Sequence, residues 1–200
     1  CVEACKRENN GSLTAHHFNT WVERYVYLEG EDKARIDSHA DPVNIAASGS
    51  EREYRFANRY QDAKVEKAFF VPKLCNQCTH PPCVQVCPVG ATYKAEDGVV
   101  LIDAKYCIGC RYCVQACPYG ARWFNEAKGV TQKCYWCYHR ITKGLQPACV
   151  EACPVGARIF GDLNDRQSPI SQFVRNNRVQ ALKPETGNGP NVFYVGIDRE

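Results

Sequence analysis

The chain has 200 residues, 44% of them hydrophobic and 24% charged, with a formal net charge of +3. This excludes a disordered tail, and so small and dispersed a charge gives no nucleic-acid footprint. No apolar run approaches the ~18 residues of a membrane span. The exception is cysteine, present 14 times. The sequence opens on Cys1 and contains no Met, so an upstream piece is expected.

In chain order, CVEAC (1–5) comes first, with three residues between Cys1 and Cys5. Thr20 to Tyr27 alternates with period two and predicts a strand. Residues 29–65 are polar and lack cysteine; they read as an insertion, with one helix near 53–65. The run Ala68-Phe69-Phe70-Val71 is read as stopping at Pro72. The first full quartet, CNQCTHPPCVQVCP (75–88), has the form C-x2-C-x4-C-x3-C-P. CIGCRYCVQACP (107–118) reads C-x2-C-x2-C-x3-C-P, and the segment 134–154 reads C-x2-C-x11-C-x3-C-P.

Aligning the prolines exposes a repeat: CPVGATYK (87–94), CPYGARWF (117–124) and CPVGARIF (153–160) are one unit used three times. A short β-like run is expected after each. Tyr93 to Ile102 predicts a hairpin turning at Asp97-Gly98, and Trp123 to Val130 one turning at Lys128-Gly129. Beyond the repeats, Ile170 to Val179 predicts a surface helix and Asn191 to Ile197 a closing strand.

Three chemistries compete for the thiols. A chain of this length can bury its own core without seven disulfides, and C-x2-C neighbours make poor partners for each other. Zinc ribbons use two separated knuckles with no third and fourth cysteine close by. The run C-x2-C-x2-C-x3-C-P is the spacing with which bacterial ferredoxins hold iron–sulfur cubes, and its fourth cysteine serves the other cluster of a pair. The quartets favour this third reading. Two-residue gaps let one loop curl around a cube and aim amide N–H groups at its sulfurs. Gly109 permits the tight curl, and Pro88, Pro118 and Pro154 end the turn after each fourth cysteine.

Fourteen cysteines plus two expected upstream make sixteen, or four quartets. The sequence has no phosphate-binding loop, dinucleotide fingerprint or nucleophile elbow. Nor does it contain the C-x3-C-x2-C run of a radical enzyme, so no catalytic residue is assigned. His16, His17, His39, His80 and His139 are expected in ordinary loop roles. Trp123, Tyr135 and Trp136 are expected to shield the ligands from water. Lys6, Arg7, Arg111, Arg122, Lys133 and Arg158 can offset cluster charge, although about two-thirds of them are expected to be solvated surface charges.

These quartets, with CVEACKREN (1–9), resemble the four-cluster electron-transfer subunits of membrane-bound respiratory oxidoreductases. Examples are the iron–sulfur subunits of dimethyl sulfoxide, polysulfide, tetrathionate and formate-dependent nitrite reductase systems, with alternative complex III related. The resemblance implies an α+β fold of two bacterial-ferredoxin-like modules with short helices, β-hairpins and loop insertions. One module would take 1–28 with 130–165 and the other 66–129, with a polar insertion at 29–65 and an extension at 166–200. Carried over, cluster a would use Cys75, Cys78, Cys83 and Cys117; cluster b Cys107, Cys110, Cys113 and Cys87; cluster c Cys134, Cys137, Cys149 and Cys5. Cluster d would use Cys1 and Cys153 with two upstream ligands.

The function implied is electron transfer through up to four 4Fe-4S clusters, without catalysis. The partners implied are a catalytic subunit, of molybdopterin type, and an integral-membrane quinone-reactive subunit. The alternative is a subunit of another quinone-linked complex, of alternative complex III, hydrogenase or formate dehydrogenase type. The location implied is the outer face of a bacterial cytoplasmic membrane, reached through partners.

Overall fold

A computed structural model describes residues 1–9, 17–38, 56 and 59–197. The chain divides into two units, Val2–Leu74 on one side and Cys75–Glu200 with Cys1 on the other.

In the first unit, α1 (Val2–Glu8) buries Val2 and Cys5. The Val/Tyr-rich alternation at 20–28 forms β1 (Thr20–Leu28), which buries Val26 and Leu28. β1 is the centre of a three-stranded antiparallel sheet, between β2 (Arg35–Ser38) and β3 (Val65–Leu74). The apolar run ends at Pro72 as read, and the strand continues past it to Leu74. The proline lies within β3 opposite Val22, on an edge strand where a missing N–H is tolerated. Tyr25 stacks on Phe69 across the β1–β3 pair at 5.2 Å. The helix expected near 53–65 falls partly on 53–55, 57 and 58, outside the described residues. Residues 59–62 form a turn, and Val65 already opens β3.

Across the β1–β2 pair, Arg24 donates to both carboxylate oxygens of Asp37, at 3.0 and 2.6 Å. The Asp37 side chain is only 1% exposed. Asp37→Ala strips the guanidinium of this bidentate partner and is expected to cost about 3 kcal/mol. The check is amide exchange, which should quicken in β1 and β2 without loss of iron.

The second unit alternates cysteine loops, single-turn helices and hairpins. Three single-turn helices carry the third cysteine of a quartet: α2 (Pro82–Gln85) holds Cys83, α3 (Tyr112–Gln115) holds Cys113 and α5 (Ala148–Glu151) holds Cys149. A further turn, α4 (Tyr138–Ile141), fills the eleven-residue gap. The fourth cysteine of each quartet follows α2, α3 and α5, and the next glycine turns the chain. The N–H groups of Gly90, Gly120 and Gly156 donate to the carbonyls of Cys87, Cys117 and Cys153 at 3.2–3.3 Å, each glycine at φ +61° to +63°.

Both expected hairpins form. β4 (Thr92–Lys94) pairs with β5 (Val100–Ile102), and β6 (Arg122–Asn125) with β7 (Val130–Lys133). Gly98 turns the first at φ +87° and Gly129 the second at φ +66°. The third repeat differs, because Arg158 to Phe160 form no strand. The C-terminal helix α6 (Pro169–Asn176) starts on Ser168, whose hydroxyl accepts the Ser171 N–H, and ends earlier than expected. Of the closing strand only β9 (Phe193–Tyr194) forms, paired with β8 (Gln180–Ala181).

The interior of this unit contains few large apolar side chains. Gln77, Val100 and Asn76 are among its largest fully buried residues, and buried cysteines occupy much of the rest.

Candidate metal centre

The fourteen cysteines are all free thiols. Cys75, Cys78, Cys83 and Cys117 line one cavity, together with Asn76, Val100, Tyr119 and Arg122. Three of these thiols come from the first quartet and the fourth from the second. Among the described residues, no three Cys, His, Asp or Glu side chains converge as a single-ion site. The four cysteines instead share the lining of one cavity.

The chemistry of this cavity fits an anionic sulfur cluster. Asn76 lies between Cys75 and Cys78, is 1% exposed, and has no hydrogen-bond partner on either amide atom. A buried amide left unpaired costs about 1–3 kcal/mol, and sulfide in the cavity would accept from it. Burial, reinforced by the neighbouring Cys75, Cys83 and Cys117 sulfurs, pushes the Cys78 thiol up to about 12. Burial also raises the Cys83 thiol, against the pull of the Arg122 and Lys133 charges. Cys78 and Cys83, raised in this way, resist ionising without a counter-charge, which ligated iron would supply.

The loop geometry recurs. The second residue of the opening C-x2-C gap of each quartet is left-handed: Gln77 at φ +46°, Gly109 at φ +70° and Trp136 at φ +51°. Glycine adopts this freely, whereas the other two must be held there. Gln77 is clamped by two buried hydrogen bonds, its Nε2 donating to the Cys134 carbonyl at 2.9 Å and its Oε1 accepting the Val100 N–H at 2.8 Å. Trp136 packs edge-on against Phe160 at 5.3 Å.

The other expected ligands are placed as follows. Cys107 is half-buried, Cys110 exposed and Cys113 buried. Cys113 packs with Cys83 and Val100 in one cluster, where α2 meets α3. Cys87 is half-buried and accepts the Thr92 N–H at 3.4 Å. Burial alone would raise its thiol, but backbone N–H groups from Thr92, Val89 and Ala91 lower it overall. Cys153 is the repeat equivalent: burial raises it, and the N–H groups of Ala157, Val155 and Arg158 bring it below the usual thiol range. Ala157 donates to its sulfur at 3.2 Å. Cys134, Cys137 and Cys149 are buried, and burial pushes the Cys134 thiol up to about 12. Cys1 shares Arg158 with Cys149, the guanidinium nitrogens lying 3.6 Å and 3.8 Å from the two sulfurs. Cys5 belongs to the other unit, where the Asn9 amide donates to its sulfur at 3.3 Å.

Of the six basic residues singled out in the sequence, Arg7 pairs with Glu3 at 2.5 Å on the surface. Lys6 lies 4.1 Å over the Phe18 ring and Arg111 3.9 Å over Phe124. Arg122, Lys133 and Arg158 are the three that face the cysteine loops. Lys133 is 3% exposed and donates to the Val100 and Cys134 carbonyls. Lys133→Met keeps the aliphatic stem but leaves the Val100 carbonyl without this donor, an expected cost of about 2 kcal/mol. The check is a lower urea midpoint for loss of the visible chromophore.

Sequence reasoning gives the extension at 166–200 no role at the site, yet it closes over the first quartet. Gly189 and Asn188 carbonyls accept the Thr79 and His80 N–H groups at 2.7 and 2.9 Å, and the Asn191 N–H donates to the Asn76 carbonyl at 2.9 Å. The Asn191 side chain adds a bond to the Gln77 carbonyl at 2.7 Å, and Lys183 Nζ reaches the Pro118 carbonyl at 2.5 Å.

Comparison with known proteins agrees with this chemistry. Residues 66–163 match the family model described as a 4Fe-4S dicluster domain. The B subunit of tetrathionate reductase from Salmonella typhimurium is 53% identical over 130 residues, covering 64% of this chain and 52% of that protein. Its namesake in Archaeoglobus fulgidus is 41% identical over 197 residues, covering 98% of this chain and 75% of the relative. The Hdr-like menaquinol oxidoreductase iron–sulfur subunit 1 of the same organism is 44% identical over 160 residues, covering 67% and 60%. The matched stretch thus spans about half of the Salmonella protein's length. With cysteine loops fitted to 4Fe-4S clusters and relatives of this kind, the chain belongs to the 4Fe-4S dicluster family of reductase iron–sulfur subunits.

Proposed function

We propose that this chain is a non-catalytic electron-transfer subunit, conducting between a molybdopterin-type catalytic subunit and a quinone-reactive membrane subunit through up to four 4Fe-4S clusters. The observation that carries this is the cavity lined by Cys75, Cys78, Cys83 and Cys117, to which two repeats contribute cysteines. When bound, a cluster held by four protein thiolates accepts and passes one electron and has no open iron for substrate. The chain's part is to hold neighbouring sites close, keep them dry and set their potentials by charge and hydrogen bonds to sulfur.

The ligand sets follow the crossed pattern: Cys75, Cys78, Cys83 and Cys117; Cys107, Cys110, Cys113 and Cys87; Cys134, Cys137, Cys149 and Cys5; and Cys1 and Cys153 with two upstream ligands. Packing of Cys83 against Cys113 supports the first two as neighbours. Ferredoxin-like modules of 66–129 and of 1–28 with 130–165 fit this pattern. The proposed extension and insertion remain 166–200 and 29–65.

The relatives' names as reductase subunits support a catalytic partner, and the menaquinol oxidoreductase subunit supports a quinone-linked one. Among the described residues, no helix is long and apolar enough to cross a membrane. Attachment through the quinone-reactive partner, at the outer face of the cytoplasmic membrane, accounts for a membrane location.

Anaerobic purification of the full-length protein tests the reading. Roughly sixteen irons per chain are expected, with broad absorbance near ~400 nm that bleaches on reduction, and a catalytic and a membrane subunit should co-purify. Zinc in place of iron would overturn it.

A further inference from the structure

Five residues past the fourth cysteine, the three repeats carry Thr92, Arg122 and Arg158. Arg122 is 4% exposed, and its Nη2 donates to Cys83 Sγ at 3.0 Å while its Nη1 donates to Thr92 Oγ1 at 3.3 Å. The arginine of the second repeat is thus held by the threonine of the first and aimed at a ligand sulfur. Among the described residues, no carboxylate pairs with Arg122 or with Lys133. Two buried cations without a carboxylate need negative charge nearby, and the thiolate-lined cavity is where it would lie. At Cys87, by contrast, Thr92 brings no charge: its N–H donates to the sulfur at 3.4 Å and its hydroxyl adds a neutral hydrogen bond.

We propose that Arg122 is a positioning residue for electrons: it makes the site of Cys75, Cys78, Cys83 and Cys117 more readily reduced than the neighbouring site of Cys107, Cys110, Cys113 and Cys87. The inference rests on the electron-transfer reading above. Reduction adds one electron from the redox partner, and oxidation returns one to the next acceptor. No bond is made or broken and Arg122 keeps its proton throughout. A charged, charge-assisted hydrogen bond to sulfur stabilises the reduced, more negative state most. Lys133, against the Val100 carbonyl of the same cavity wall, adds to the field. Arg158 occupies the same repeat position beside Cys1 and Cys149.

The test is an EPR-monitored redox titration of the full-length holoprotein with Arg122→Gln, Arg122→Lys and Thr92→Val, each with iron and sulfide counted. Arg122→Gln is expected to lower the midpoint of one cluster by at least a tenfold change in its reduction equilibrium, 59 mV for one electron. The other midpoints should stay in place. Arg122→Lys should recover most of the shift. Thr92→Val removes the hydroxyl that anchors Nη1 and also bonds Cys87, and it should move the midpoint of the Arg122 site by less than Arg122→Gln, in the same direction. If Arg122→Gln does not load its iron, Thr92→Val decides: a lowered midpoint supports the proposal and an unmoved one overturns it. Unmoved midpoints in fully loaded Arg122→Gln, or equal shifts at every cluster, also overturn it while leaving the electron-transfer reading intact. Zinc in the wild-type protein would sink that reading instead.

Discussion

Cys117→Ala and Cys83→Ala are expected to erase the same cluster signal, although the two residues sit in different repeats. Both thiols line the cavity shared with Cys75 and Cys78, so losing either removes a ligand from one site. Cys113→Ala is the control. It lies in the same quartet as Cys117, and it should erase a different signal, because the crossed pattern assigns it to the Cys107 loop. Each single variant should lose up to about four irons, the content of one cluster. EPR of the reduced protein with iron counting reads the outcome. Matching defects for Cys113→Ala and Cys117→Ala would mean that each quartet serves its own cluster, and the crossed assignment would fall.

Gly109→Ala should be the most damaging substitution that touches no ligand. Gly109 sits at φ +70°, where an L side chain costs about 1–2 kcal/mol. Its added Cβ would also lie 2.6 Å from the Gly129 carbonyl oxygen and 3.0 Å from Phe124 Cε2. A backbone atom on the β6–β7 turn cannot swing aside as a flexible side chain can, so either that turn or the Cys107–Cys110 loop must move. The combined cost is about 3 kcal/mol or more. Because the strain falls between Cys107 and Cys110, cluster loss in air should quicken severalfold at that loop. Gly98→Ala isolates the dihedral cost: φ is +87°, yet the nearest atom to the new Cβ is Lys94 Cε at 3.8 Å. It should cost only about 1 kcal/mol and leave cluster lifetimes unchanged. Equal effects from the two alanines would show that the contact with Gly129 does not matter.

The parts of the molecule written in local chemistry are legible in the residues alone. Cysteine spacing marks the loops, and Asp97-Gly98 and Lys128-Gly129 mark the hairpins, because turns of this kind depend on few residues. The strand role of Pro72 is not legible, since whether a proline ends a strand depends on its place in the sheet, and only pairing reveals that β3 lies at an edge. Arg111 and Arg122 look alike beside cysteines; one covers a ring and the other enters the cavity. Repeat register offers a clue, because Arg122 and Arg158 share one position in the CPxGA unit whereas Arg111 does not. Gln77 is legible in the same way: aligned with Gly109, it marks a backbone position that must turn left-handed. The covering by residues 188–191 has no local signal, since it joins segments more than a hundred residues apart.

That last contact orders events during biosynthesis. The loop carrying Cys75 and Cys78 is tied by Thr79, His80, Asn76 and Gln77 to Asn188, Gly189 and Asn191. A ribosome that has just released the loop has not yet made the strap that fastens it. The pocket can take its final form only once residues 188–191 have been made, so any machinery delivering iron before then meets a loop that is not yet fastened.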